Sequence, residues 1–165
     1  MSRLSITLAI AAVMAISSCR QSENRKENSA VNRQIEPLFP KGERITGDNF
    51  TGTAWLNNLV QADSINQNAV GGVSFEPGAR TKWHIHPAGQ IILALSGEGY
   101  YQEKGSPRRI LRKGDVIKCP PNVPHWHGAS TDTGFVQVAI TGRQNGPTVW
   151  LETVTEKEYK GNSNE

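Results

Sequence analysis

Short runs that alternate between apolar and polar residues occupy most of the chain from residue 49 to residue 154, and small clusters of Gly, Pro, Asn or Ser separate most of them. Alternation with a period of two is typical of β-strands, because successive side chains of a strand point to opposite faces. Many short strands at near-regular spacing favour a sandwich or barrel over a sheet built from βαβ units. The predicted strands cover residues 49–60, 69–76, 80–86, 90–95, 99–103, 108–111, 115–119, 125–129, 135–140 and 148–154.

The C-terminal segment contains the one predicted helix. Thr155 and Glu158 have the spacing of a capping box, in which each residue satisfies a backbone N–H near the helix N-terminus. The sequence shows no internal repeat, and it has neither a dinucleotide-binding nor a phosphate-loop glycine pattern. We therefore predict a single all-β domain over residues 37–165, a β-barrel with a short C-terminal helix on its outside.

Residues 1–18 have the layout of a secretory signal peptide, with Arg3 before a mostly apolar run. That run is shorter than the ~20 apolar residues that a transmembrane helix needs. The end of the run resembles a bacterial lipobox, in which a cysteine, here Cys19, is lipidated and becomes the new N-terminus. The alternative is an ordinary cleaved signal with a cysteine nearby. The polar residues 19–36 are typical of a flexible tether, so we expect an exported, membrane-anchored lipoprotein that faces the periplasm or the cell surface.

Charge and cysteine content argue against two classes of protein: those that bind nucleic acid and those held together by a disulfide framework. The formal charge is +3, and it falls to +2 without residues 1–18, because Arg3 is the only charged residue among them. No basic run suggests nucleic acid as a partner. The chain has two cysteines, and if Cys19 is acylated, Cys119 has no partner for an intramolecular disulfide. Cys119 lies in an apolar strand, which favours a buried thiol over a reactive one.

All four histidines fall into two His-x-His pairs, His84 with His86 and His125 with His127, and each pair lies on a predicted strand. Residues two apart in a strand share a face. If both faces line a barrel interior, three imidazoles converge on one ion, and the fourth stands beside it as a ligand or an acid–base group. A single pair of this kind is more often exposed or hydrogen-bonded. Two pairs with apolar neighbours, which account for every histidine, favour a metal site.

Two longer motifs resemble those of the cupin superfamily. Residues 78–97 are similar to the first cupin motif, with a glycine, His-x-His and a final glycine, and residues 114–125 are similar to the second, with a glycine, a proline and a histidine at its spacing. Asn122 stands where a glycine is usual in the second motif, and both residue types tolerate a positive φ. The resemblance implies a cupin jelly-roll β-barrel.

A narrower resemblance is to the small bacterial single-domain cupins that include manganese-dependent hydroxynitrile lyases. The similar features are FxGT, FEPGARTxWHxHPxGQ, GDV, HWHGA and VTxxEY, which begin at residues 50, 75, 114, 125 and 154. In that subgroup three histidines and a glutamine hold the metal, and a further histidine and a threonine lie near the substrate. The resemblance thus implies that the metal ligands are His84, His86, Gln90 and His125. It also implies that His127 and Thr81 lie near the substrate.

Gln137 departs from the pattern of the lyases. Lyase members carry a further histidine on the strand after the HWH motif, and this chain has Gln137 there. An amide does not accept a proton as an imidazole does. The sequence therefore argues against a simple assignment as a hydroxynitrile lyase, because a proton acceptor of the lyases is missing.

Gln90 stands where most cupins have a glutamate. Three neutral imidazoles and an amide oxygen leave a divalent ion its full charge, whereas a glutamate would cancel half of it. Such an ion binds an alkoxide or enolate oxygen more strongly. Imidazole ligation with one oxygen suits Mn, Fe, Co, Ni, Cu or Zn rather than Ca or Mg, and manganese is the metal that the resemblance implies.

Three classes of function fit these features, because cupins host all of them. The first is a metalloenzyme that uses the ion as a Lewis acid on a small hydroxy or carbonyl substrate, with His127 moving a proton in a lyase-like reaction. The second is an oxygen-dependent enzyme related to quercetin dioxygenase, and the third is a non-catalytic module that binds a small ligand or a metal. We expect an enzyme, of the first class or, as the alternative, of the second. The resemblance further implies a homodimer.

Overall fold

The computed structural model describes residues 38–161. The predicted signal peptide over residues 1–18 and the predicted tether over residues 19–36 lie outside the described residues. Within the described range, no helix combines the length and the apolar character that crossing a bilayer requires.

Strands dominate the described part of the chain, and one short helix follows them. In chain order the elements are β1 (Glu43–Arg44), β2 (Phe50–Thr51), β3 (Ala54–Val60), β4 (Asn68–Phe75), β5 (Arg80–Thr81), β6 (His84–Ile85), β7 (Gln90–Glu103), β8 (Arg109–Arg112), β9 (Val116–Cys119), β10 (His125–Ala129), β11 (Phe135–Gly142), β12 (Val149–Trp150) and α1 (Glu156–Lys160).

The strands form a curled antiparallel sheet in which two halves share β7. One half has the order β1-β3-β4-β11-β7-β9. In the other half β7 pairs with β8 and β10, β10 pairs with β5 and β6, and β2 and β12 complete the edges. This architecture confirms the predicted all-β barrel with a short C-terminal helix.

The 14-residue strand β7 connects the two halves of the barrel. Its first part pairs with β11 and its last part with β10, so the predicted break between residues 95 and 99 is wrong. Gly97 explains the continuity: its φ is 76°, and a Cβ there would lie 1.9 Å from the Gly134 carbonyl oxygen. A glycine lets the strand bend at this point without leaving the ladder.

The segment predicted as one strand over residues 80–86 forms two short ones, β5 and β6. Between them the backbone N–H groups of Lys82 and Trp83 donate to the carbonyl oxygens of Asn49 and Glu152, outside the ladder. These bonds tie two distant segments to the chain just before His84. Two other predicted strands are also interrupted or shorter: residues 49–60 form β2 and β3, and residues 148–154 contribute only β12.

Apolar side chains form one cluster inside the barrel and a second one outside it, under the C-terminal helix. The alternation along the histidine strands predicts that the two intervening tryptophans face outward. Trp83 and Trp126 are indeed buried in the outer cluster, in edge-to-face contact with ring centroids 6.5 Å apart. The inner cluster includes Val73, Phe75, Ile92, Ala94, Tyr101, Leu111, Ile117, Cys119 and Phe135.

Helix α1 begins at the predicted capping box. The Thr155 side chain accepts from the Glu158 N–H, and the Glu158 side chain accepts from the Thr155 N–H. The Tyr159 hydroxyl donates to the Ala129 carbonyl oxygen at 2.9 Å, which fastens the helix to β10. The helix therefore packs on the outside of the barrel, as predicted, and the structure shows that it lies behind the strand that carries His125 and His127.

Candidate metal centre

The four histidines meet because β6 and β10 are neighbours. Their register places His125 directly opposite His84, and His86 and His127 follow two residues further along the chain. All four side chains are buried. The ring centroid of His84 lies 4.4 Å from that of His125, 4.9 Å from that of His86 and 5.3 Å from that of His127. The structure thus brings both His-x-His pairs together, as strand alternation predicts.

Backbone carbonyl groups fix the tautomers of two of these rings. Nδ1 of His84 lies 2.9 Å from the Lys82 carbonyl oxygen, and Nδ1 of His125 lies 2.9 Å from the Val123 carbonyl oxygen. A carbonyl oxygen only accepts, so each Nδ1 carries the proton and donates it. The Nε2 atom of each ring is then the one with a free lone pair, and this is the form in which histidine binds a metal.

The connection between β9 and β10 links the two histidine pairs. Asn122 has a φ of 61°, which confirms that asparagine takes the conformation of the glycine usual at this position. Its backbone N–H donates to the His86 carbonyl oxygen at 3.2 Å. The same turn contains Val123, whose carbonyl orients His125.

Three ring nitrogens are buried and have no hydrogen-bond partner among residues 38–161: Nε2 of His86, Nε2 of His125 and Nδ1 of His127. Leaving a buried polar atom unpaired costs about 1–3 kcal/mol, so several such atoms in one place indicate a ligand that satisfies them. Lone pairs of neutral imidazoles are donors that suit transition metals. The residues present therefore fit a divalent transition-metal ion.

One group of three histidines differs by one residue from the three histidines of the predicted set. A ring nitrogen of each of His84, His125 and His127 lies within 4.8 Å of the other two. The predicted set contains His86 in place of His127. Nδ1 of His86 lies 3.2 Å from the Thr148 hydroxyl, so its unpaired Nε2 is the atom left for an ion. His84 and His125 belong to both sets, and the choice between the other two histidines stays a prediction.

Burial lowers the pKa of all four histidines, because the charged imidazolium loses its hydration. The pKa of His86 falls to about 3, and the nearby His125 and Arg143 add to the effect of burial. The pKa values of His84 and His127 lie well below the usual 6.5, first through burial and then through the neighbouring imidazoles. The pKa of His125 is lowered mainly by burial as well. The four rings are therefore neutral at pH 7, and protons do not compete for their lone pairs.

Gln90 is the first residue of β7, and its side chain is buried. Its Nε2 donates to the Thr141 hydroxyl at 2.9 Å, and the Cys119 thiol donates to its Oε1 at 3.9 Å. Cys119 is a buried free thiol, as predicted, and burial raises its pKa to about 12. The position of Gln90 inside the barrel is compatible with a ligand, and its role as one stays a prediction.

Thr81 lies on β5 beside His127. The Thr81 hydroxyl oxygen accepts a hydrogen bond from the His127 backbone N–H at 3.2 Å, and both side chains are buried. The structure thus brings together the two residues predicted to lie near the substrate. Their roles in catalysis stay predictions.

Gln137 on β11 is fully buried, with 0% of its surface exposed. Neither its Oε1 nor its Nε2 has a hydrogen-bond partner in the part of the chain that the structure describes. It shares a strand face with Thr141, the partner of Gln90, because the two lie four residues apart. Gln137 therefore offers one acceptor and two N–H donors to a molecule bound in the barrel.

Two aromatic residues that sequence reasoning did not single out border the histidines. Phe75 lies edge-on to His127, with centroids 5.9 Å apart. Trp150 stands opposite His84 in the β12–β6 ladder, 5.0 Å away, and is 37% exposed. Phe50 lies 5.9 Å from Trp150. The pairing of strands that are distant in sequence brings these aromatic residues to the histidines, so no pattern within one strand predicts their position.

Comparison with known proteins matches the chain to the cupins. Residues 72–141 match the family described as Cupin domain. The chain is 41% identical over 114 residues to the (R)-mandelonitrile lyase of Granulicella tundricola, a match that covers 68% of this chain and 87% of that protein.

Solved structures with the same barrel include a cupin-like protein from Thermotoga maritima, with a TM-score of 0.75 and 46% identity over 79% of this chain and 100% of that chain. They also include a cupin 2 conserved barrel domain protein from Salinispora arenicola. That structure has a TM-score of 0.52 and 25% identity, and the match covers 67% of this chain and 89% of that chain.

Proposed function

Because the chain belongs to the cupin superfamily, as a small single-domain member with a jelly-roll barrel, we propose that it is a metal-dependent enzyme. The proposed reaction is a lyase-like step on a small hydroxy or carbonyl substrate. The observation that carries the proposal is the group of buried, neutral imidazoles whose ring nitrogens lack partners among the described residues. Such a group inside a barrel is suited to hold an ion. Without an ion, its unpaired buried nitrogens destabilise the folded protein.

The proposed metal ligands are His84, His86, Gln90 and His125. A divalent transition metal held by them supplies Lewis-acid chemistry, because it polarises a substrate oxygen and stabilises negative charge on it. Manganese is the first candidate, from the resemblance to manganese-dependent cupins. Iron, nickel, cobalt and zinc suit the same donors.

His127 is the proposed proton acceptor. Burial keeps its pKa well below 6.5, so the ring is unprotonated at pH 7 and free to take a proton. Its Nδ1 is the buried atom without a partner among residues 38–161. The edge contact with Phe75 and the bond from its backbone N–H to Thr81 hold the residue in place.

For a cyanohydrin, the class to which mandelonitrile belongs, the chemistry is as follows. The hydroxyl proton passes to Nδ1 of His127, and the carbinol oxygen forms the carbonyl. The bond to the nitrile carbon breaks, and its electron pair leaves on cyanide. His127 then returns the proton that it took from the hydroxyl to the cyanide, which leaves as hydrogen cyanide. The Gln137 amide donates a hydrogen bond to the reacting groups without transferring a proton.

Gln137 also favours a second candidate, an oxygen-dependent reaction like that of quercetin dioxygenase. In the lyase reaction His127 has to deliver the proton to cyanide as well as take it from the hydroxyl, because the Gln137 amide supplies none. An oxygen-dependent reaction requires of Gln137 only that it hydrogen-bonds the substrate. The same donor set serves both reactions, because iron, manganese and nickel all bind imidazole and oxygen ligands.

The deciding experiment assays the metal-loaded full chain in two ways. Cyanide release from mandelonitrile is measured alongside oxygen consumption with a polyphenol, and the His127→Ala variant serves as the control. Metal-dependent cyanide release that the control lacks supports the lyase proposal. Oxygen consumption without cyanide release supports the second candidate. A protein that binds metal but shows neither activity supports a non-catalytic binding module.

We also propose that the protein is a homodimer anchored to a membrane through lipid on Cys19. Ile91 and Val116 support the first part: they lie on the outer face of the adjacent strands β7 and β9 and are 40% and 59% exposed. Neighbouring exposed apolar residues are typical of surfaces that another protein covers. Sedimentation equilibrium of the Ile91→Lys and Val116→Lys variants tests this part, because a charge at a buried interface shifts the protein to monomers.

A further inference from the structure

The side-chain amide of Gln90 lies between two strands that each contact one of its ends. In the register of the sheet, Gln90 stands opposite Thr141 of β11 on one side and opposite Cys119 of β9 on the other. Its Nε2 donates to the Thr141 hydroxyl at 2.9 Å, and its Oε1 lies 3.9 Å from the Cys119 sulfur. Each end of the amide therefore has its own polar neighbour.

The two neighbours differ in how strongly they hold the amide. The Thr141 hydroxyl accepts from the Gln90 nitrogen at 2.9 Å, an ordinary hydrogen-bond length. The Cys119 thiol, a weak donor and a weak acceptor, lies 3.9 Å from the Gln90 oxygen. The bond to Thr141 therefore occupies the nitrogen end and leaves the oxygen end only weakly held.

The oxygen end lies towards Cys119, and Tyr101 connects Cys119 to the histidines. The Tyr101 hydroxyl lies beside the Cys119 thiol, and each alters the pKa of the other. The Tyr101 ring in turn lies 5.7 Å from the His125 ring, between centroids. An amide oxygen has two lone pairs, so Oε1 accepts from Cys119 and still has one for an ion, whereas the NH₂ group has only hydrogens to offer.

We propose that Thr141 is a positioning residue of the metal centre, which holds the Gln90 amide with its oxygen towards the ion by accepting from its nitrogen. This inference rests on the proposed function, because it requires Gln90 to be a ligand. A carboxylate at position 90 has an oxygen at either end and needs no such selection. An amide has one oxygen, so a chain with Gln90 depends on a neighbour that sets its orientation.

The test is a double-mutant cycle of Thr141→Val and Gln90→Glu in the full chain, read out as the dissociation constant for Mn²⁺ by calorimetric titration. In the Gln90 protein, Thr141→Val should weaken binding about 10–100-fold, the usual effect of losing an outer partner of a ligand. In the Gln90→Glu background the same change should alter binding no more than about twofold. Thr141→Ser keeps the hydroxyl and should restore the affinity of the unaltered protein.

Three outcomes overturn the inference, and they differ from one another. An equal loss of affinity in both backgrounds means that Thr141 supports only the fold. A further variant, Gln90→Ala, gives the other two outcomes. Weaker Mn²⁺ binding by Gln90→Ala with unchanged binding by Thr141→Val leaves Gln90 a ligand and removes the role of Thr141. Unchanged Mn²⁺ binding by Gln90→Ala removes Gln90 from the ligand set and overturns this inference, whereas the metal centre itself fails only if the unaltered protein binds no metal. Thermal unfolding of each metal-free variant is recorded in parallel, and Thr141→Ala replaces Thr141→Val if the latter does not fold.

Discussion

His84 and His125 face each other across the β6–β10 ladder, with ring centroids 4.4 Å apart and with each Nδ1 bonded to a backbone carbonyl oxygen. This arrangement directs the protons of both rings to the backbone and leaves both Nε2 atoms for a ligand. The pair belongs to the predicted ligand set and to the group of three histidines whose ring nitrogens lie within 4.8 Å of one another. It is therefore the part of the proposed metal centre on which the other assignments depend.

Single substitutions of His86 and His127 should separate a ligand from a proton acceptor. His86→Ala should weaken metal binding by more than the ~10–100-fold that loss of an outer partner causes, because it removes a direct donor. His127→Ala should retain the metal and lower turnover about 10²–10⁴-fold, the usual contribution of an acid–base group. Metal content and kcat of both variants check this, and loss of metal in His127→Ala with retention in His86→Ala would assign the ligands the other way.

The metal-free protein should lose stability as the pH falls from about 6.5 towards about 3. The folded pKa of His86 is lowered to about 3 by burial, whereas the unfolded chain titrates near 6.5, so in that window the unfolded state binds more protons. Stability is fully present above pH 6.5 and is lost as the pH falls, by up to about 5 kcal/mol for His86 alone. Urea unfolding in the presence of a chelator at several pH values measures the loss.

The matched control for the pH experiment is His86→Gln, which removes one of the buried titrating rings. It should show a shallower fall in the free energy of unfolding between pH 6.5 and pH 3. Identical pH dependence in the two proteins would contradict the assignment of a lowered pKa to His86.

The Gln137→His variant should gain cyanide release from mandelonitrile. The side chain is fully buried, and its polar atoms are unpaired within residues 38–161, so an imidazole there has access to the same bound molecule. A second acid–base group typically contributes about 10²–10⁴-fold to a rate. Gln137→Asn, which keeps an amide, is the control, and equal rates in a folded, metal-loaded Gln137→His protein would argue against a proton-transfer role at this position.

The pairing of the histidines was predictable because it depends on a local rule. Side chains two apart on a strand share a face, and that rule alone puts His84 with His86 and His125 with His127, and turns Trp83 and Trp126 to the opposite faces of their strands. The capping box at Thr155 was predictable for the same reason, since its bonds join residues three apart.

Features that depend on contacts between distant segments were not predictable from local patterns. The break predicted after residue 95 fails because Gly97 bends β7 against Gly134, which is far away in sequence. The placement of Trp150 against His84 depends on the β12–β6 register. The Thr141 and Cys119 contacts of Gln90 likewise arise from β11 and β9.

Substitution of Cys19 by alanine should release the protein from membranes, if Cys19 carries lipid. Several acyl chains make an anchor stable, and each buried methylene contributes about 0.8 kcal/mol. Fractionation of cells and partition into a detergent phase measure the shift. Cys119→Ala is the matched control and should stay with the membrane, whereas a soluble protein in both cases would point to an ordinary cleaved signal peptide.

The metal content of the protein purified without a tag tests the central claim most directly. Inductively coupled plasma mass spectrometry should find about one transition-metal ion per chain, since the imidazole nitrogens of one buried group serve one ion. The double variant His84→Ala with His125→Ala should bind none. A protein that co-purifies with no transition metal above a trace, and that binds none when Mn²⁺, Fe²⁺, Ni²⁺, Co²⁺ or Zn²⁺ is added, would contradict the metal centre and the reactions proposed to depend on it.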